Sequence, residues 1–262
     1  MVAASVGHQC PECVRRSGDD VRRFSGMRST AGIPVTMTLI VVNVAVYLVT
    51  GLGAGSGMLG VTRGDALSTD VLNKGILWGP AVREGEWWRL VTGGFLHAGL
   101  VHIAFNMLAL WSIGGVVERT FGAVRMIAIY GTSLLAGSLV VLLMTPDTPT
   151  LGASGAVFGL FGCVFVVTAL RAGKQLAWQR FGGLLIVNGL ISLAPGISLG
   201  GHLGGFVAGA AIGWCMDQLP RRTGLRWAPL AVCAVLAVGC FVGALVAAQS
   251  LATSFPGVVD SL

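Results

Sequence analysis

Ser154 stands in Gly152-Ala153-Ser154-Gly155, at the head of an apolar run. A frame of small residues lets the backbone turn tightly and leaves the hydroxyl uncovered. Two other segments hold nearly all the remaining polar chemistry of the apolar part of the chain. One runs from His97 to Asn106 and includes His102; the other is Gly201-His202-Leu203-Gly204-Gly205. Ionisable or strongly hydrogen-bonding groups at membrane depth point to function. A serine, three histidines and an asparagine are the parts of an acyl-transfer site. Serine supplies the nucleophile, histidine the base, and N–H groups the donors for a developing oxyanion.

These residues must be carried by helices in a membrane. Hydrophobic residues make up 54% of the chain and charged residues only 11%, against about 25% charged in soluble domains; the mean hydropathy is +0.81. Apolar runs lie at roughly 35–53, 96–117, 124–145, 153–170, 181–196, 199–217 and 227–250. With about 20 residues needed to span, seven transmembrane helices are expected. The fifth is the shortest case and carries Asn188. The fold class is therefore all-α, a polytopic transmembrane bundle.

Charge sets the expected orientation. Of the 17 Lys and Arg residues, 13 lie in the N-terminal tail and alternate loops after it; the other four, Arg63, Lys74, Arg83 and Arg89, lie in the first loop. The positive-inside rule then places the N-terminus in the cytoplasm and, with seven spans, the C-terminus outside. The pI near 9.4 reflects this topology, and no nucleic-acid partner is expected. The first thirty residues are polar, so no cleavable signal peptide is expected.

The same topology starts the second, fourth and sixth runs on the external side, so His102, Asn106, Ser154 and His202 share one depth. Gly201, Gly205, Gly209 and Gly213 form a stripe on one face of the sixth helix, and Gly155 and Gly159 do the same beside Ser154. Two such faces allow the close crossing that a Ser–His hydrogen bond of about 2.6–3.2 Å requires. His102 and Asn106, four apart, share a helical face and can aim two N–H donors at one oxygen. With the Ser154 amide they would make an oxyanion hole. No acidic residue lies near Ser154 or His202 in their runs, which favours a dyad over a triad. His97 is turned off the His102 face and is expected to shape the access to the site. Alone, each residue would be read as a cap, packing or helix glue; their coincidence at one depth is the signal.

The tail, residues 1–33, contains His8-Gln9-Cys10-Pro11-Glu12-Cys13. His8, Cys10 and Cys13 would be half of a tetrahedral zinc site without a fourth ligand, and no cofactor is expected. Cys163, Cys215, Cys233 and Cys240 sit singly in apolar runs as small packing residues. The long first loop, about 54–95, carries Trp78, Trp87, Trp88 and Arg89 and is expected to be ordered and to lie at the interface.

Taken together, His97-x4-His102-x3-Asn106, Gly152-x-Ser154-Gly155 and Gly201-His202-x-x-Gly205 with Gly209 resemble the rhomboid family of intramembrane serine proteases. Trp88-Arg89 and Glu118-Arg119 also match. The resemblance covers about residues 34–217, implying a six-helix catalytic core, with 218–262 supplying a linker, a seventh helix and a short external tail. It implies Ser154 as nucleophile, His202 as base, and His102, Asn106 and the Ser154 amide as oxyanion donors with His97 near them. Gly152, Gly155 and Gly205 would shape the site. It further implies that the fifth helix and the loop around Ala194-Pro195-Gly196 gate the site, and that the substrates are single-span membrane proteins cut near the external face of the cell membrane. Where many members carry Tyr four residues after the serine, this chain has Phe158, whose ring can still stack on His202. The tail resembles the end of a longer zinc-binding extension of some actinobacterial members, which suggests a shortened start here. The competing readings are a catalytically silent relative that binds transmembrane helices and a small transporter. The latter would be expected to show internal repeats or charges within spans.

Overall fold

Lipid offers no partner to an open backbone N–H or C=O, so long apolar runs close their hydrogen bonds within helices. The computed structural model describes residues 2–3, 8–9, 32–53, 70–194 and 196–254. Among these, α1 is Pro34–Gly53, and the first loop carries α2 (Asp70–Gly75), α3 (Gly79–Arg83) and α4 (Arg89–Thr92). There follow α5 (Leu100–Phe121), interrupted by a wide turn at Leu110–Gly114, α6 (Ala123–Met144) and α7 (Ser154–Ala172). The last three helices are α8 (Lys174–Ile191), α9 (Leu199–Thr223) and α10 (Ala228–Ser254). A two-residue antiparallel pair, Val2–Ala3 with His8–Gln9, is the only sheet among the described residues.

Five of these helices, α5, α6, α7, α9 and α10, are long and apolar enough to cross a membrane, rather than the seven expected. α1 is apolar over Pro34–Thr50, the part of it whose side chains are described. The fifth run also moves: α8 occupies Lys174–Ile191 instead of 181–196. Gly173, at φ +94°, ends α7 and restarts the helix at once, so Lys174, Gln175, Gln179 and Arg180 join it and dilute its hydropathy. At its far end, Ser192 to Ala194 leave the helix in tight turns ahead of Pro195, which disfavours helix at the residue before it.

The centre of the bundle is the trio α6, α7 and α9; α8 packs on α7, α10 lies along α6, and α1 meets α5 and α6. Glycine makes the trio possible. A Cβ at Gly205 would collide with the Gly155 carbonyl oxygen, and one at Gly209 with that of Gly159. On the neighbouring face, a Cβ at Gly204 would stand 2.6 Å from the Ala136 oxygen of α6. Backbone thus touches backbone, the packing by which helices associate in lipid. Outward-facing Val41, Phe105, Leu108, Ile127, Ile186, Val207 and Val238 are exposed on the helix surfaces. So large an apolar surface suits lipid and not water. This is a multi-pass membrane protein.

Two polar devices fix the periphery. Glu118, buried near the end of α5, accepts the backbone N–H of Val35 (2.9 Å) and Thr36 (2.8 Å) and the Thr36 hydroxyl (2.7 Å). A carboxylate thus satisfies open donors at the start of α1, where the helix dipole favours negative charge. In the first loop, Arg89 donates to the carbonyls of Asn73 (2.6 Å) and Ile76 (2.8 Å) and pairs with Glu86. Trp88 Nε1 donates to the Lys74 carbonyl at 3.1 Å. The described part of the loop, from residue 70, is ordered. Leu77 and Thr150 exchange backbone hydrogen bonds, and the Ser138 hydroxyl of α6 donates to Leu90 O at 2.8 Å. Trp78, Trp87 and Trp88 remain exposed.

Candidate active site

Ser154 is the first residue of α7. The N–H groups of a helix's first turn have no intrahelical acceptor, so the Ser154 hydroxyl and amide stand together at the positive end of the helix dipole. Gly152, just before it, takes φ +125° and donates its N–H to Gly93 O of the first loop at 2.9 Å. No L side chain adopts that backbone readily. A Cβ there would also lie 2.8 Å from His102 Cε1 and 2.9 Å from Nε2, and 3.7 Å from Ser154 Oγ. Glycine at 152 therefore lets the His102 ring pack against the backbone two residues before the serine.

His202 reaches the serine from α9. Its Nε2 lies 2.8 Å from Ser154 Oγ, which the backbone contact of Gly155 with Gly205 makes possible. Phe158, one turn after Ser154 on α7, lies flat on the His202 ring, with centroids 4.0 Å apart and planes 10° from parallel. The imidazole is thus fixed on one face by an aromatic and at its edge by the serine. Ser198 caps α9 by accepting the Gly201 N–H at 3.2 Å, which sets where the helix starts and hence the depth of His202.

On α5, His102 Nδ1 accepts the Ala98 backbone N–H at 3.4 Å. In the neutral ring the proton then sits on Nε2, the nitrogen beside Gly152. Asn106 is buried one turn further on and spends one of its two amide N–H groups on the His102 carbonyl, at 3.0 Å. His97 departs from the expectation that it shapes the access: it is 1% exposed. It leaves no face to an opening, because its ring packs edge to face on His102, centroids 5.1 Å apart. It buttresses the His102 ring.

Sequence reasoning missed Ser192. Its hydroxyl contacts His202 Nδ1 at 2.6 Å, on the ring edge opposite Ser154. The only signal was a lone polar residue in the apolar stretch Leu190-Ile191-Ser192-Leu193-Ala194. The zinc half-site lies outside the described residues at Cys10 and Cys13, as does the side chain of His8. Among the described residues no three His, Cys, Asp or Glu side chains cluster to hold a metal. Cys163, Cys215, Cys233 and Cys240 are free thiols.

Ser154, half-buried at a helix start, thus meets the buried His202 inside a polytopic helical bundle. The chain belongs to the rhomboid family: the Rhomboid domain matches residues 84–218. Over 141 residues, half of the chain, it is 39% identical to rhomboid protease GluP of Bacillus subtilis, covering 27% of that protein. It is 32% identical to the putative rhomboid protease YdcA of the same organism over 150 residues, 54% of the chain and 73% of the relative. RHOMBOID-like protein 5 of Arabidopsis thaliana is 35% identical over 146 residues, 53% of the chain and 47% of that protein. The chain thus spans less than half the length of two of these three relatives.

Proposed function

We propose that this protein is an intramembrane serine endopeptidase using a Ser154–His202 dyad. The observation that carries the reading is the 2.8 Å contact between Ser154 Oγ and His202 Nε2, inside a bundle of a family whose relatives include named proteases. Ser154 Oγ attacks the carbonyl carbon of a peptide bond and passes its proton to His202 Nε2. The carbonyl oxygen becomes an oxyanion, held by the Ser154 amide, His102 Nε2–H and the second N–H of Asn106. The C–N bond then breaks, and Nε2 returns its proton to the leaving amine. Water, deprotonated by the same nitrogen, releases the acyl group and restores the serine. Residues 34–217 carry this chemistry. The substrates are membrane proteins with a single span, cut near the end of the bundle where α5, α7 and α9 begin. Arg119, Arg125, Arg171 and Arg221 stand toward the opposite ends of the long helices, and the positive-inside rule supports reading the site end as external, in a protein of the cell membrane.

The test is labelling of the protein in detergent micelles with a fluorophosphonate, which traps an activated serine. The wild type labels and Ser154→Ala and His202→Ala do not, both variants remaining folded. A folded wild type that stays unlabelled by a probe small enough to reach Ser154, yet still binds membrane helices, transfers the assignment to a silent helix-binding relative.

A further inference from the structure

Ser192 sits where α8 leaves its helix and is 3% exposed. Its hydroxyl makes two contacts of 2.6 Å, one to the Asn188 carbonyl oxygen and one to His202 Nδ1. A hydroxyl has one proton and two lone pairs, and a carbonyl only accepts. The short contact to Asn188 therefore consumes the Ser192 proton, and the contact to His202 is made by a ring N–H donating to Ser192 Oγ. Nδ1 holds the proton of the neutral ring, and Nε2 is left as the acceptor facing Ser154.

We propose that Ser192 is a positioning residue for His202: with the Asn188 carbonyl behind it, its oxygen holds the ring in the tautomer that can take the Ser154 proton. This deepens, and rests on, the dyad reading. A neutral hydroxyl does here what a carboxylate does in a triad, without placing a charge at membrane depth. When Nε2 gains the proton, the Nδ1–H···O bond becomes charge-assisted and strengthens, so the contact helps the transfer more than it helps the resting state. It also joins the end of α8, otherwise packed on α7, to α9.

The experiment labels the whole protein in micelles with a fluorophosphonate and follows the rate, for wild type, Ser192→Ala, Ser192→Thr and Ser154→Ala. In parallel, 15N-histidine spectra report which ring nitrogen of His202 is protonated, its signals identified by their loss in His202→Ala. Loss of a hydrogen bond to a charged group slows labelling by about 10- to 100-fold in Ser192→Ala. Ser192→Thr, which keeps the hydroxyl, restores most of the rate, and Nδ1 is the protonated nitrogen in wild type but not uniformly in Ser192→Ala. Wild-type labelling rates in Ser192→Ala, or an alanine-like rate in Ser192→Thr, overturn the proposal. So does an unprotonated Nδ1 in the wild type, a result that needs neither a folded variant nor catalysis. A wild type that fails to label independently of Ser192 sinks the dyad reading instead, and the spectra still decide whether Ser192 sets the tautomer.

Discussion

The Gly155 carbonyl oxygen of α7 occupies the place where a Cβ of Gly205 on α9 would stand. The two backbones meet there without side chains between them, close to where Ser154 and His202 come within 2.8 Å. The closeness of the helices and the closeness of the dyad are one geometric fact.

Gly205→Ala therefore forces α7 and α9 apart. Overpacking of this kind costs about 1–3 kcal/mol, read as a lower midpoint in thermal unfolding in detergent. Fluorophosphonate labelling falls with it, because the Ser–His contact stretches. A variant as stable and reactive as wild type would show that the crossing tolerates a methyl group and that the glycine stripe does not set the dyad distance.

Gly152→Ala acts on a different partner. The residue would have to hold φ +125°, a strain of about 1–3 kcal/mol for a non-glycine, and its methyl group would press on His102. Turnover of a model transmembrane substrate should collapse while the His202 side of the site is unchanged. Full turnover would mean that His102 can retreat without harm, against its proposed place in an oxyanion hole.

If Asn106 is an oxyanion donor, as proposed, Asn106→Ala should lower kcat by about 10²-fold, with little effect on unfolding, because the hydrogen bond lost to the His102 carbonyl is local to α5. An unchanged kcat would take Asn106 out of the hole and leave it as helix glue.

The Phe158 ring stacks on His202 at 4.0 Å. Phe158→Tyr keeps the ring and should be neutral or better. Phe158→Ala gives up an aromatic contact worth about 0.5–1.5 kcal/mol and should slow labelling by about tenfold. If the tyrosine variant is the slow one and the alanine variant is not, stacking is not what holds the imidazole.

Glu118→Gln separates structure from chemistry. Three donors of α1 lose a charged acceptor, a loss of about 1–3 kcal/mol, seen as a lower unfolding midpoint with the labelling rate of the folded fraction unaltered. An undisturbed midpoint would show that α1 is anchored by its apolar face alone.

The sequence by itself determined the helical membrane architecture, because a run of apolar residues has no other way to satisfy its backbone in lipid. It also determined the pairing of Ser154 with His202, since the glycines that allow the crossing are written beside both residues. It misjudged α8, where polar residues after Gly173 join the helix because its continuity is decided by packing on α7 and not by hydropathy. Only the tertiary structure decided what surrounds the histidines. His97 lies buried behind His102, and Ser192, from a helix end with no motif to mark it, touches Nδ1. These depend on helix rotation and on where each helix starts and stops. A shift of one residue turns a side chain by about 100°, and a hydrogen bond tolerates only a few tenths of an ångström.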